Sequence, residues 1–346
     1  MSGDGAIARR TRLLDGFRSV RPTPANLRRE DEHLFRHEYE RPFGPTDLYE
    51  LRDVHVTADG VFVHGLRVVP ELLYIPGELA QGRLRYAVKA RLRPRARFDD
   101  PGERYFTAFN RWSPANYFHW LGDVLPRVYL AREQVEGAVV VLPATHRVPF
   151  VERSLAPFRP ARTAYFEPGR TAFFREVAVP GHVALTGNYH EPTMRELAGF
   201  LWESLGARPS GGRLVYVTRR RAQHRFVLNE DDVIAVVRRH GFEVVENEDL
   251  TFEEQVALYA GASAYVGIMG ANLANVLFMP PRSALLELRR RDDASNHLFF
   301  SFAAAKGVDY YYQQCDWVEA GWGIRWNLTV DLDELDANLE LMLSRL

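Results

Sequence analysis

Residues 213–288 read RLVYVTRRRAQHRFVLNEDDVIAVVRRHGFEVVENEDLTFEEQVALYAGASAYVGIMGANLANVLFMPPRSALLEL. Short apolar runs alternate with amphipathic ones. Arg213–Thr218 reads as a strand, and Glu230–His240 as a helix that Gly241 stops. Phe242–Glu246 is a second strand. Thr251–Ala260 is a helix with Thr251 and Glu254 in capping-box spacing. Ala264–Ile268 and Ala284–Leu288 are further strands, with a helical turn at Asn272–Phe278 between them. Strands alternating with helices predict a parallel sheet covered on both faces. Ligands of such sheets bind outside the carboxyl ends of the strands.

The same texture extends outward. Downstream, the segments His297–Lys306 and Val308–Tyr312 and a last helix at 333–345 complete this domain. Upstream, Ala207–Gly212 has the Pro and paired Gly of a linker. The clear amphipathic helix Glu191–Leu205 precedes it, with Met194, Leu197, Ala198, Leu201 and Leu205 inward. Tyr105–Phe109, Ala138–Leu142 and stretches near 163–166 and 173–179 read as strands, and Pro149–Pro157 as a short helix. Tyr117–Glu133 reads as a helix that Pro126 should kink or break. Residues 53–75 read as a hairpin turning at Ala58-Asp59-Gly60, with β-type sequence to about 98. Residues 1–50 show no sustained period. The expected domains are an irregular arm at 1–50, an N-terminal domain at 51–206, a C-terminal domain at 213–330 and a final helix at 331–346.

Composition narrows the function. The 346 residues are 46% hydrophobic and 26% charged, the profile of a globular chain of about two domains. The net charge of −1 argues against bulk nucleic-acid binding. Lys89 and Lys306 are the only lysines, so 42 of the 44 basic residues are arginine. That fits a GC-rich genome. The single cysteine, Cys315, excludes an intrachain disulfide and a cysteine-built zinc site. No run approaches the about 18 apolar residues of a membrane span, and the N-terminus lacks the apolar core of a secretory signal. A cytoplasmic location is expected. The alternative for the arginine-rich N-terminus is weak peripheral attraction to an anionic membrane surface.

Four segments could carry chemistry. In Asn110–Arg127, His119 and Asp123 lie four apart on one helix face, with Asn116 one turn before them. A histidine beside a carboxylate can act as a general base; the plainer reading is a cap at Asn116 and a surface pair. Next, the strand ending at Thr218 runs into Arg219, Arg220, Arg221 and Arg225. Guanidinium groups there would match phosphate oxygens, unless they are a solvated basic loop. Third, Gly267-Ile268-Met269-Gly270-Ala271-Asn272, continuing to Asn275, is a small-residue turn opening a helix, where backbone N–H groups attract phosphate. Last, Glu287 closes an apolar strand and could accept from ribose hydroxyls. Asp331 and Asp333 have D-x-D spacing but read as a helix cap, so no metal is expected. Trp112, Trp120, Trp322 and Trp326 are candidates for stacking on sugar rings or for core packing.

Together and in this order, these segments resemble glycosyltransferase family 61. That family includes bacterial capsule-type transferases, plant β-1,2-xylosyltransferases and animal O-linked N-acetylglucosaminyltransferases. The matching residues are N116-x-x-H119-W-L-x-D123-x-L-P-R127, then Y216-V-T218-R219-R220 with R225 and N229-E230. G241-F-E-V-V, F252-E-E-Q255, G267-x-x-G270-A271-x-L273-x-N275-x-x-F278-M-P and L-E287-L follow. The resemblance implies an α/β, GT-B-like fold: two Rossmann-like domains facing a cleft, the last helix crossing back. It implies inverting transfer from a nucleotide sugar, a UDP-sugar first, to a glycan or glycolipid acceptor, with no other cofactor. His119 and Asp123 would activate the acceptor, with Asn116, Trp120 and Arg127 beside it. Thr218, Arg219, Arg220, Arg225, Gly267, Met269, Gly270, Ala271, Asn272, Asn275 and Glu287 would hold the donor. The family loop usually reads G-x-H-G-A-G-L-T-N; here Met269, Asn272 and Ala274 replace His, Gly and Thr. That departure motivates the alternative of an inactive sugar-nucleotide-binding or scaffold protein.

Overall fold

The computed structural model describes residues 5–75, 82–222, 224–320 and 326–346, so Trp322 lies outside the described residues. The chain divides into two units. The first runs to Phe17 and resumes at Pro42–Thr186; the second comprises Arg18–Arg41 and Gly187–Leu346.

The second unit is built on a six-stranded sheet. Its first five strands in chain order are Arg213–Val217, Glu243–Val245, Ala262–Ile268, Ala284–Arg290 and Asp309–Glu319. They pair in the order 2-1-3-4-5, all parallel. Trp326–Thr329 joins the far edge antiparallel. From strand 1 the chain moves one way through helix Glu230–Arg239, then back past strand 1 through Phe252–Ala260. Right-handed crossovers in opposite directions put those helices on opposite faces. The order reverses between strands 1 and 3, which makes the carboxyl ends at Val217 and Ile268 the switch point of this sheet.

Local chemistry explains the helix ends. Thr251 and Glu254 form both bonds of the capping box, Asp331 caps Leu332–Leu343, and Gly241 has φ +82°. The D-x-D is thus a cap. The last helix packs inside the second unit. Leu335, Leu339 and Met342 are buried, and the helix packs on Glu230–Arg239 and Asp309–Glu319 within its own unit. Helix Glu191–Ser204 also belongs here rather than to the N-terminal domain. Its apolar face packs on Leu298–Lys306, and Trp202 Nε1 donates to the Phe278 carbonyl at 3.1 Å. The boundary therefore falls between Thr186 and Gly187, and 207–212 is a loop inside the unit.

The first unit carries a nine-stranded mixed sheet instead of a purely parallel one. Arg162–Phe166, Val139–Pro143, Tyr105–Phe106 and Thr171–Pro180 form its parallel half. The ten-residue strand Thr171–Pro180 also pairs antiparallel with Thr46–Val56, and so grafts the 46–68 hairpin region onto the parallel half. The hairpin turns at Gly60, φ +83°. Residues 1–50 are not an irregular arm. Ile7–Leu14 pairs with Thr46–Val56, and Arg10 and Arg12 both bind the buried Asp47 carboxylate. Residues 83–92, expected as β-type, are a helix. Pro126 leaves its mark as a π-helical segment, Trp120–Val124, closed by Leu125 N–H to the Trp120 carbonyl. Proline cannot donate to Gly122 and crowds that carbonyl, and a wider turn relieves both.

Thr251→Ala removes the hydroxyl that accepts the Glu254 backbone N–H and leaves the Thr251 N–H on the Glu254 carboxylate. Urea unfolding should show a loss of about 1 kcal/mol.

Candidate functional site

In the first unit, the chain leaves strand Tyr105–Phe106 through a turn that ends at Asn116. Ser113 Oγ and the Asn110 backbone bond each other in both senses, and Ala115 sits at φ +48°. Asn116 Oδ1 then accepts the His119 backbone N–H at 3.3 Å and starts the helix. One turn on, His119 Nδ1 lies 2.8 Å from Asp123 Oδ2. That same oxygen accepts from Thr186 Oγ1 at 2.7 Å, and from Tyr74 Oη and Asn110 Nδ2 at 3.4 Å each. Asp123 is 4% exposed and His119 16%. Among the described residues His119 Nε2 makes no hydrogen bond. The imidazole stacks on Trp112, ring centroids 6.2 Å apart, and Trp112 is 47% exposed.

The electrostatics around the pair are set by burial. Arg127 is buried, and its guanidinium donates to the carbonyls of Phe109, Pro180 and Gly181. Burial pulls it down to about 10, against the favourable charge of Asp123. Burial, then the Arg127 charge, holds His182 well below the usual imidazole range, so it stays neutral. Burial, then the Asp123 carboxylate, raises Tyr74 and keeps its hydroxyl protonated. The arrangement is one carboxylate framed by neutral His182 and Tyr74 and by the Arg127 charge, and it fixes an imidazole whose outer nitrogen can take a proton.

In the second unit the switch point is lined by arginines. Arg219 Nη1 donates to Asn272 Oδ1 at 3.1 Å and Nη2 to the His224 carbonyl at 3.1 Å. Arg225 follows at φ +64°, its guanidinium 5.9 Å from the Trp326 ring centre. The two lie near enough that burial, and then the Arg219 charge, pulls Arg225 down to about 10, with Glu287 opposing. Burial likewise lowers Arg219. Among the described residues neither makes an ion pair. Arg219 Nε, Arg225 Nε and Asn272 Nδ2 are buried donors without partners among the described residues. Gly270 makes the approach possible: a Cβ there would collide with Arg219 Nη1 and lie 2.8 Å from Cζ. Glu287 is buried, in register with Gly267, and accepts from Tyr310 Oη at 2.6 Å. Burial pushes its carboxyl up.

Residues 117–286 match the family model described as Glycosyltransferase 61. This stretch of the chain is a glycosyltransferase family 61 match. Over 101 residues it is 31% identical to the EGF domain-specific O-linked N-acetylglucosamine transferase of Drosophila melanogaster, covering 28% of this chain and 19% of that protein. Over 140 residues it is 29% identical to Protein O-linked-mannose β-1,4-N-acetylglucosaminyltransferase 2 of Bos taurus and 28% identical to that of Homo sapiens. Those matches cover 38% of this chain and 23% of each relative. The matched stretches thus span less than a quarter of these relatives.

Not every residue of the family-61 pattern faces a site. Arg220 binds Glu230 at 3.0 Å and also Asp231, at the start of the helix that follows. Arg221 binds Glu246 and Asp249. Asn275 is buried and donates to Gln255 Oε1 at 3.0 Å, bracing helix Phe252–Ala260. Trp120 is fully buried, with Nε1 on Ser154 Oγ at 2.7 Å, so it packs the core and offers no stacking face. Arg127 is a strut for three carbonyls, and Asn116 is a helix cap. Trp326 is buried beneath Arg225. Thr218 Oγ1 accepts the Arg220 backbone N–H at 3.2 Å. Ala271 opens the turn Ala271–Phe278. Met269 is buried against the Asn296 amide, whose Oδ1 lacks a partner. Tyr74, Asn110, Thr186 and Asn296 escaped the sequence reading. They are far from the motifs along the chain or carry no spacing signal.

Titration with UDP by calorimetry separates the arginines. Arg219→Ala and Arg225→Ala should each weaken binding by about 1.5–3 kcal/mol, the scale of a charge-assisted hydrogen bond. Arg220→Ala should leave affinity nearly unchanged. Unchanged affinity in both of the first two variants would remove the anion-clamp assignment.

Proposed function

We propose that this chain is an inverting, metal-independent glycosyltransferase that moves a sugar from a nucleotide-sugar donor to a hydroxyl of a glycan or glycolipid. The observation that carries the reading is the pair of guanidiniums at the switch point, Arg219 and Arg225, neither of which makes an ion pair among the described residues. A diphosphate supplies the missing charge, and the buried Nε and Nδ2 donors supply its hydrogen bonds. Glu287 is suited to a ribose hydroxyl. Among the described residues no three His, Cys, Asp or Glu side chains gather as metal ligands, which supports giving charge neutralisation to the arginines.

In this reading His119 Nε2 takes the proton of the acceptor hydroxyl as its oxygen attacks the anomeric carbon. The bond to the diphosphate breaks on the opposite side in the same step. Arg219 and Arg225 meet the charge that develops on the leaving group. Asp123 orients the ring and stabilises the imidazolium, because its accepting oxygen is buried under four donors. The relatives are named for N-acetylglucosamine transfer, so UDP-N-acetylglucosamine is the first donor to assay. The biological setting we propose is assembly of a bacterial surface polysaccharide in the cytoplasm, on the strength of the arginine-rich composition.

His119→Ala and Asp123→Asn should each lower transfer roughly 10²–10⁴-fold while donor affinity and folding persist. The double variant should be little worse than either single one, since the two act as a unit. Transfer undiminished in His119→Ala would refute the base assignment. Separately, transfer should proceed at the same rate in EDTA; loss on chelation, restored by Mn²⁺, would overturn metal independence.

A further inference from the structure

Residues 82–98 read GRLRYAVKARLRPRARF, with seven basic residues and no acidic one in a chain whose net charge is −1. The helix in this stretch, Arg83–Leu92, seats on the core of the first unit through Ala87 and Ala90, beside Val61, Val63, Val68 and Leu73. Tyr86 anchors it, its hydroxyl 2.7 Å from Asp59. What the helix turns outward is unusual. Leu84 is 62% exposed, Val88 38% and Leu92 80%. Spaced by four, they form one stripe, covering an arc of about 80° at 3.6 residues per turn. Arg85 and Lys89 border one side of the stripe and Arg91 the other. Arg85, Lys89, Arg93 and Arg95 make no ion pair among the described residues.

An exposed aliphatic stripe bounded by unpaired cations is costly in water and well matched to one environment, the headgroup region of an anionic bilayer. There the stripe enters the acyl boundary and the cations meet lipid phosphates. We infer that helix Arg83–Leu92 docks this chain on an anionic lipid surface. Nucleic acid is a poorer fit, because single strands stack on aromatic groups and the face here is aliphatic. A protein partner would need an acidic rim matched to four unpaired cations. Three aliphatic side chains and a few cations give weak, reversible, salt-sensitive attachment, the kind that leaves a transferase free to exchange.

The test is co-sedimentation of the full chain with phosphatidylcholine vesicles, with and without phosphatidylglycerol. Binding should require phosphatidylglycerol and fall with added salt. Arg85→Glu with Lys89→Glu should weaken it roughly tenfold or more. Leu84→Ser with Leu92→Ser should weaken it severalfold at constant charge. Both sites are on the surface, so circular dichroism and UDP affinity should be unchanged. Three results would overturn the inference: binding indifferent to lipid charge, variants that bind vesicles like the parent chain, or a dimer that either variant dissociates. The last would give the stripe to a second copy of the chain. Retention on RNA without vesicle binding would overturn it as well.

Discussion

Two guanidiniums held near each other, neither with an ion-pair partner among the described residues, are the constraint around which the second unit is organised. Arg219 and Arg225 repel each other, and burial makes the repulsion harder to screen. Something else must therefore hold them. Arg219 is tied to Asn272 and to the His224 carbonyl. The loop beyond Arg225 is stitched to the last strand, with Phe226 N–H on Asn327 Oδ1 and a reciprocal backbone pair between Phe226 or Leu228 and Leu328. Arg225 accepts a left-handed backbone, which costs about 1–2 kcal/mol, and each buried unpaired donor costs about 1–3 kcal/mol. Buried open donors gathered in one place ask for an explanation. In the proposed reading an anion would offset the repulsion and accept from those donors, while the backbone cost at Arg225 would remain.

The first unit solves the opposite problem, a single buried anion. Asp123 collects His119, Thr186, Tyr74 and Asn110 on one oxygen. These donors come from a helix, two loops and the end of a strand region, so the carboxylate is also a structural node. Arg127 contributes charge without contact, since its own donors are consumed by carbonyls. Neutral His182 and protonated Tyr74 add no competing charge. The result is an imidazole with one nitrogen fixed and the other free, a polarity that sequence spacing alone left undecided between His119 and Asp123.

Much of the second unit was legible in the sequence because its signals are local. Thr251 with Glu254, Gly241 and the Asp331 cap announce helix ends through bonds made within one turn. The central strands Ala262–Ile268 and Ala284–Arg290 are buried on both faces and so read as apolar runs. The failures share a cause, which is that the deciding partner is distant. Ile7–Leu14 looks irregular because its arginines are satisfied by Asp47, 35 and 37 residues away. Arg220 looks like Arg219 until Glu230 and Asp231 appear beside it. Trp120 and Arg127 sit in the family motif, yet their partners, Ser154 and the 180–181 carbonyls, are invisible from it. Helix Arg83–Leu92 escaped because its four-residue apolar spacing, Leu84, Val88 and Leu92, is interrupted by arginines and lies on the exposed face, while only two alanines and a tyrosine face the core.

The same logic bears on Met269, where the family pattern has histidine. An imidazole beside Arg219 and Arg225 would be a third donor against one anion, held neutral by two cations. Its loss leaves the cationic charge of the clamp intact. What changes is the neighbouring surface. Met269 is apolar and buried, and the polar group now at hand is Asn296, whose Oδ1 is an acceptor where the imidazole would have offered a donor. Asn272, in place of glycine, answers on the other side by binding Arg219 and leaving Nδ2 open. The substitutions thus trade donors and acceptors beside the same two arginines; in the proposed reading this would alter what is recognised next to an anion more than whether an anion is held.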